Sequence, residues 1–358
     1  MLSKVVKYII LFIAIFLWLQ AYSPLIYKSS GLFEDDYRYG DLYRLSYLPQ
    51  FKQRAEHCKT IRLKSENPQS ANLYIIGDSF TEAERVNGQD FFAKNYDYVH
   101  WAKQKKIDID TTQRNILILE TVERTFKDHF TNEVNNFTTA ENPKPEEPQK
   151  SWKQRFLVQE KKIISYIFPS NEEIEQRLEH TLFNYDFFLW FRELKSTINY
   201  TFFDRVEKKV VLSTDNSHLF YFEEADSTDS HSAFYPVSNE EISTDSHSAF
   251  YPVSNEEIEH YVNQINGSRE KYLKAGFDEV YLSIIPNKVS ILDPNLGKYN
   301  HLIERIQRNP NLKTPIISVL GEFKTSPTKY YLISDTHWTC EGRDLWLNKV
   351  NNILTKIP

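Results

Sequence analysis

The chain has 358 residues, 41% of them hydrophobic and 15% aromatic, with a formal net charge of −6. That length holds one large domain or two small ones plus appendages, and that composition can build a core. A negative balance with no long basic run argues against nucleic acid as the main partner.

Residues 1–27 read as a membrane segment. Lys4 and Lys7 precede an apolar run from Tyr8 to Leu19, which Gln20 to Tyr27 extend. About twenty helical residues cross the ~30 Å of a bilayer core. The lysines predict a cytoplasmic amino end and an exported remainder. A cleaved signal peptide is the alternative, although no small-x-small site follows the run. Residues 28–70 form a connector. Its stretch Asp35 to Asp41 reads either as a platform touching glycan or as packed chain, with a short helix predicted from Asp41. Cys58 and Cys340 are the only cysteines. In an exported chain they permit one disulfide, or they stay as separate thiols. With no other soft ligands nearby, neither reads as part of a metal site.

From residue 71 onward the pattern alternates strands and helices. Leu73-Tyr74-Ile75-Ile76 reads as a buried strand that Gly77-Asp78-Ser79 ends. Such a junction places a serine hydroxyl at the carboxyl end of a sheet, where open α/β folds bind ligands. A serine nucleophile needs a base, and the base needs an acid to orient it. Ser334-Asp335-Thr336-His337-Trp338 offers both. Asp335 and His337 are two apart, so both can leave one face of an extended or tight-turn segment. Trp338 is placed to wall a sugar-sized pocket. The expected triad is therefore Ser79, His337 and Asp335.

Between these ends, residues 91–105 are predicted as a helix and 115–119 as a second strand delivering Glu120 and Arg124 to the edge that carries Ser79. Arg124 either binds an anionic sugar, braces the loops, or pairs with Glu120 or Glu123. Residues 132–150, with Pro143, Pro145 and Pro148, read as a linker. Helices are predicted over 152–168 and 171–197, with Ser170 and Glu173 forming a capping box. The cluster Phe183, Tyr185, Phe187, Phe188, Trp190 and Phe191 reads as a buried helix face or as sugar-stacking rings. A hairpin is predicted over 210–223. The segment Ser227–Ile242 then recurs unchanged as Ser243–Ile258, too few copies for a solenoid. Beyond it come a helix over 255–273, a strand over 277–285 followed by Lys288, a helix over 299–307, a strand over 316–320 and a closing helix over 342–357. The predicted fold is α/β, a parallel sheet flanked by helices, with a helical and hairpin insertion over about 130–254 of a 71–358 domain.

Gly77-Asp78-Ser79 together with Asp335-Thr336-His337-Trp338 resembles the SGNH/GDSL hydrolase superfamily. The Asp-x-His-Trp spacing is similar to its alginate O-acetyltransferase-like branch. So are Ile118 to Arg124, an apolar strand ending in Glu and then Glu-Arg, and Ile285-Pro286-Asn287-Lys288. Two departures stand out: Asp-x-His follows the serine here instead of preceding it, and there is no Gly-x-Asn-Asp block for the oxyanion. The resemblance implies a membrane-anchored, exported O-acetyltransferase acting on a cell-envelope polysaccharide, facing the periplasm or exterior. It implies no bound cofactor, and a multi-spanning membrane acyltransferase as acetyl donor. Asp78, Glu120, Arg124, Lys288 and Trp338 are then candidate substrate or oxyanion contacts. A carbohydrate O-acetyl esterase and a non-catalytic glycan-binding or assembly protein are the alternatives.

Overall fold

The computed structural model describes residues 2–24, 26–27, 37–54, 57–60, 71–138, 169–171, 173–175, 177–178, 185–225 and 249–356. The linker beyond residue 138, the helix expected over 152–168, Phe183, and the first copy of the repeat lie outside them. The described chain forms two compact units.

The first unit comprises Met1–Arg38, Tyr47–Pro49 and Lys144–Asn199. Its main element is α1 (Leu2–Tyr22). Residues Lys4–Tyr22 have a mean hydropathy of 2.0, long and apolar enough to cross a membrane. Most of its large apolar side chains are exposed, Phe12 at 71% and Tyr8 at 70% among them. Arg177 caps the far end by donating to the carbonyls of Ala21 and Tyr22 at 3.0 and 3.4 Å. The expected capping box is present, with Ser170 N–H donating to Glu173 and Glu173 N–H to Ser170.

The second unit holds a parallel sheet in the order β2–β1–β4–β8. Its elements in chain order are α2 (Asp41–Ser46), β1 (Ala71–Gly77), β2 (Asn95–His100), β3 (Lys105–Lys106), β4 (Arg114–Val122), α3 (Phe126–His129) and β5 (Phe137–Thr138). A helix, α4 (Asp186–Phe203), runs from the first unit into this one, followed by the antiparallel hairpin β6 (Val210–Leu212) and β7 (Leu219–Tyr221). Then come α5 (Asn255–Lys274), β8 (Glu279–Ile285), α6 (Lys288–Leu292), α7 (Leu302–Gln307), α8 (Leu320–Thr325), α9 (Pro327–Tyr330) and α10 (Cys340–Leu354).

All seven residues of β1 are buried, as are Asn115 to Val122 of β4, so the central strands read as continuous apolar runs. Alternation along the strands assigns the two faces. Tyr74 meets Phe137 and Phe277, and Tyr272 of α5 joins them, on one side. On the other, Phe91 stacks on Tyr96 and meets Trp346 of α10, whose indole N–H donates to Ser283 of β8 at 2.9 Å. Asn72 ties the strands across their starts, donating to Asn115 and accepting from Asn95.

Three expected elements differ. Residues 95–100 are a strand where a helix over 91–105 was expected. Tyr96, Tyr98 and Val99 suit a pleated surface, and pairing with β1 supplies backbone bonds a short helix would lack. The strand expected over 316–320 reduces to one bridge, Ile316 with Leu282. Pro315 and Ile317 exchange bonds with Leu282, and α8 then begins at Leu320. The hairpin forms a two-stranded sheet of its own, and its Leu219 N–H donates to Ile333 O beside the His337 loop. Finally, Tyr39–Ser46, expected as connector, falls in the second unit.

Candidate active site

The sheet order reverses between β1 and β4. The chain leaves β1 for β2 on one side and then crosses to β4 on the other, which makes the carboxyl ends of β1 and β4 a topological switch point, where open α/β sheets bind ligands. Ser79 sits two residues past the end of β1, at that point.

The Gly77-Asp78-Ser79 turn is fixed from both sides. A Cβ on Gly77 would stand 2.1 Å from Thr81 Oγ1 and 2.7 Å from Glu120 Oε2, so only glycine fits. Glu120, at the end of β4 and fully buried, accepts from Asp78 N–H at 3.0 Å and from Thr81 Oγ1 at 2.7 Å. Asp78 accepts from Phe80 N–H through Oδ1 and from Val122 N–H through Oδ2, which stitches the turn to β4. Burial, reinforced by the Asp78 charge, pushes the Glu120 carboxyl well above its ordinary value. Ser79 itself is half-buried between buried Asp78 and Phe80.

His337 arrives from the other end of the chain. Its Nε2 lies 2.9 Å from Ser79 Oγ and its Nδ1 lies 2.6 Å from Asp335 Oδ1. A carboxylate only accepts, so Nδ1 carries the proton and Nε2 presents its lone pair to the serine hydroxyl. Asp335 Oδ1 also accepts His337 N–H at 2.9 Å, an Asx turn that explains how residues two apart face one another. Burial pushes the Asp335 carboxyl up. The His337 hydrogen bond and charge, with the Arg85 guanidinium beyond, outweigh that and hold it below its ordinary value.

Asp78 and Glu120 shape the serine turn. Arg124 is in a part-buried ion pair with Glu224, not with Glu120 or Glu123. Lys288 is fully buried and donates through Nζ to Ile333 O at 3.0 Å and Asp335 O at 3.2 Å, bracing the histidine loop from below. Burial lowers its ammonium to about 7 against the pull of Asp335, Asp41 and Glu224. Trp338 is 4% exposed and packs on Phe80 and Trp346, so it cannot wall an open pocket. Its ring is core. Asp78, Glu120, Lys288 and Trp338 are buried, and Arg124 is half-buried.

Cys58 and Cys340 are disulfide-bonded. Cys340 opens α10 immediately after Thr339, whose hydroxyl caps that helix at Gly342 N–H.

Two residues of the site escaped the sequence reading. Asp41 accepts from Thr336 N–H at 2.9 Å and Thr336 Oγ1 at 2.5 Å, while its own N–H donates to Asp335 Oδ2 at 3.1 Å. Burial and the Asp335 charge raise its carboxyl. Gly40 before it has φ +88°, and a Cβ there would stand 2.3 Å from Ser334 O, so the glycine permits this docking. Arg85 donates to Ser79 O at 3.3 Å, with its other nitrogen 3.1 Å from His337 Nδ1. A guanidinium accepts nothing, so that second contact is a charge set beside the ring.

Donor atoms of Asp41, Asp335 and His337 lie within 4.8 Å of one another, close enough for a metal ion. A cation at Nδ1 would have to displace the proton shared with Asp335, and Nε2 is already turned to Ser79. The donor set therefore fits a triad better than a metal centre. Comparison with protein-family models, with curated proteins and with solved structures finds no match to this chain.

Proposed function

We propose that this protein is a membrane-anchored, exported O-acetyltransferase of the SGNH type that esterifies hydroxyls of a cell-envelope polysaccharide. The observation that carries the reading is the continuous chain Ser79 Oγ, His337 Nε2, His337 Nδ1, Asp335 Oδ1, with separations of 2.9 and 2.6 Å. Such a chain activates a serine for acyl transfer.

In the first half-reaction Ser79 Oγ attacks the acetyl carbonyl and its proton passes to His337 Nε2. The tetrahedral oxyanion needs donors. Among the described residues the Ser79 amide has no acceptor, so it is free to supply one. Collapse expels the donor's leaving group, which takes the proton from His337 and leaves acetyl-Ser79. In the second half His337 deprotonates a sugar hydroxyl, whose oxygen attacks the acetyl-serine. Ser79 leaves as its alkoxide and regains the proton from Nε2. Asp335 stabilises the imidazolium in both halves.

The helix Lys4–Tyr22 is the anchor in this reading, with Lys4 and Lys7 on the cytoplasmic side. The acetyl donor is then a multi-spanning membrane acyltransferase that relays acetyl groups outward.

The test uses the full chain in lipid nanodiscs with a chromogenic acetyl ester, an oligosaccharide acceptor and mass spectrometry. Acetylated sugar that vanishes in Ser79→Ala and His337→Ala supports transfer. Acetate alone across a panel of envelope oligosaccharides points to an esterase with water as acceptor. Absence of turnover and of acetyl-Ser79 in the wild type turns the reading to a glycan-binding protein.

A further inference from the structure

The search outside the triad leads to α4. Its sequence DFFLWFRELKSTINYTFF places Phe187, Phe191, Leu194, Ile198 and Phe202 at three- to four-residue spacings, one stripe along about 27 Å of helix. An amphipathic helix normally turns such a stripe inward. Here the stripe faces out: Phe187 is 67% exposed, Phe191 49% and Phe202 76%, with Trp190 at 53% on its flank. The buried residues of the helix are Leu189 and Ser196, on the opposite side. The aromatic cluster is therefore not a buried helix face. A contiguous apolar patch of this size marks a surface that meets something.

We propose that the exposed stripe of α4 lies in the membrane interface, with its rings at the boundary between headgroups and acyl chains. The inference rests on reading α1 as the anchor. Three observations choose lipid as the occupant. Arg177 is bonded to the carbonyls of Ala21 and Tyr22, the last residues of α1, so the chain leading to α4 starts where α1 would leave the bilayer. Arg177 and Phe187 are ten positions apart, which limits their distance to about 35 Å. Residues 144–199, including most of α4, belong to the same compact unit as α1.

Composition supports the same occupant. Phe, Trp and Leu on one face are the residues of in-plane helices, and tryptophan favours the interfacial layer. Toward the carboxyl end the exposed Lys195, Arg205 and Lys208 outnumber Asp204 and Glu207, a balance that suits anionic headgroups. Phe191 and Ile198 would sit among acyl chains, while Lys209 stays in water.

The experiment reconstitutes the full chain in vesicles of phosphatidylethanolamine and phosphatidylglycerol. Nitroxide labels are placed singly at Phe12→Cys, Phe191→Cys, Ile198→Cys and Lys209→Cys. Because the native cysteines are bonded to each other, each label goes to the new thiol. Relaxation by oxygen, which concentrates in lipid, is compared with relaxation by a water-soluble nickel chelate. The expected result is an oxygen-to-nickel ratio severalfold higher at Phe191→Cys and Ile198→Cys than at Lys209→Cys. A lipid signal at Phe12→Cys with a water signal at Phe191→Cys keeps the anchor and overturns the inference. Shielding of Phe191→Cys from both reagents means that protein covers the stripe, and it overturns the inference equally. A water signal at Phe12→Cys removes the anchor reading and the inference with it.

Discussion

Asp41 and Asp335, 294 positions apart, are joined directly: the Asp41 amide donates to Asp335 Oδ2 at 3.1 Å. Through its own carboxylate Asp41 also takes the Thr336 amide and hydroxyl. One residue near the start of the chain thus grips two of the three residues that carry the base. Asp41→Ala leaves the buried Thr336 amide without that acceptor, at a cost of about 1–3 kcal/mol. Urea denaturation should show that loss, and a fluorophosphonate probe should label Ser79 more slowly. Asp41→Asn, which keeps one acceptor oxygen, should lose less on both measures.

Replacing Asp335 tests the triad more directly. Asp335→Asn keeps the shape but offers an amide in place of the carboxylate that accepts from Nδ1–H. The ring then favours the wrong tautomer, and Nε2 no longer takes the Ser79 proton. Turnover of an acetyl ester should fall on the order of 10³–10⁴-fold, with far-ultraviolet circular dichroism unchanged. Undiminished turnover would remove Asp335 from the mechanism.

A pH signature comes from Glu123. Burial pushes its carboxyl from 4.5 up to about 7, against hydrogen bonds from Ser290, Asn287 and Tyr299. Between those values the unfolded chain has released the proton and the folded chain keeps it. The folded state binds more protons, so stability falls as pH rises through the window. Relative to Glu123→Gln, the wild type should lose on the order of 3 kcal/mol between pH 4.5 and 7. Parallel denaturation curves at several pH values, compared between the two proteins, check both sign and size.

The disulfide anchors the helix that follows the base. Cys58 and Cys340 are 282 residues apart, and closing so long a loop is worth about 5 kcal/mol in the chain-entropy description. Arg343 adds a second tie to the same strand of chain by donating to Lys59 O at 2.6 Å. The double substitution Cys58→Ser, Cys340→Ser should lower the urea midpoint and weaken Ser79 labelling, since Cys340 lies three residues beyond His337.

Ser79, Asp335 and His337 were legible because their chemistry is written in short runs: a β-prone stretch broken by Gly-Asp-Ser, and an acid two residues from a histidine. The parallel sheet was legible for a similar reason, since Leu73 to Ile76 and Ile116 to Leu119 are apolar without interruption. Residues 95–100 misled because Tyr and Asn carry weak local preferences, and pairing with β1 decided the outcome. Asp41 and Arg85 could not be ranked, because each draws its importance from a partner over 250 residues away. Lys288 and Trp338 were noticed for the right loop, but sequence carries no record of which way a side chain points. The aromatic run of α4 read as a buried face or as sugar-stacking rings; only its exposure decides against the buried face.

The union of Asp41, Ser79 and His337 has a bearing on when the candidate site is assembled. Their contacts span nearly the whole chain, and long-range contacts form late in folding. During synthesis the base is missing until residue 337 of 358 has emerged, and α10, which packs behind it, follows later still. On the anchor reading, with the amino end kept in the cytoplasm, the segment that follows α1 outward carries Ser79 before its base. On that reading the site is complete only once residues 335–337 close on Ser79.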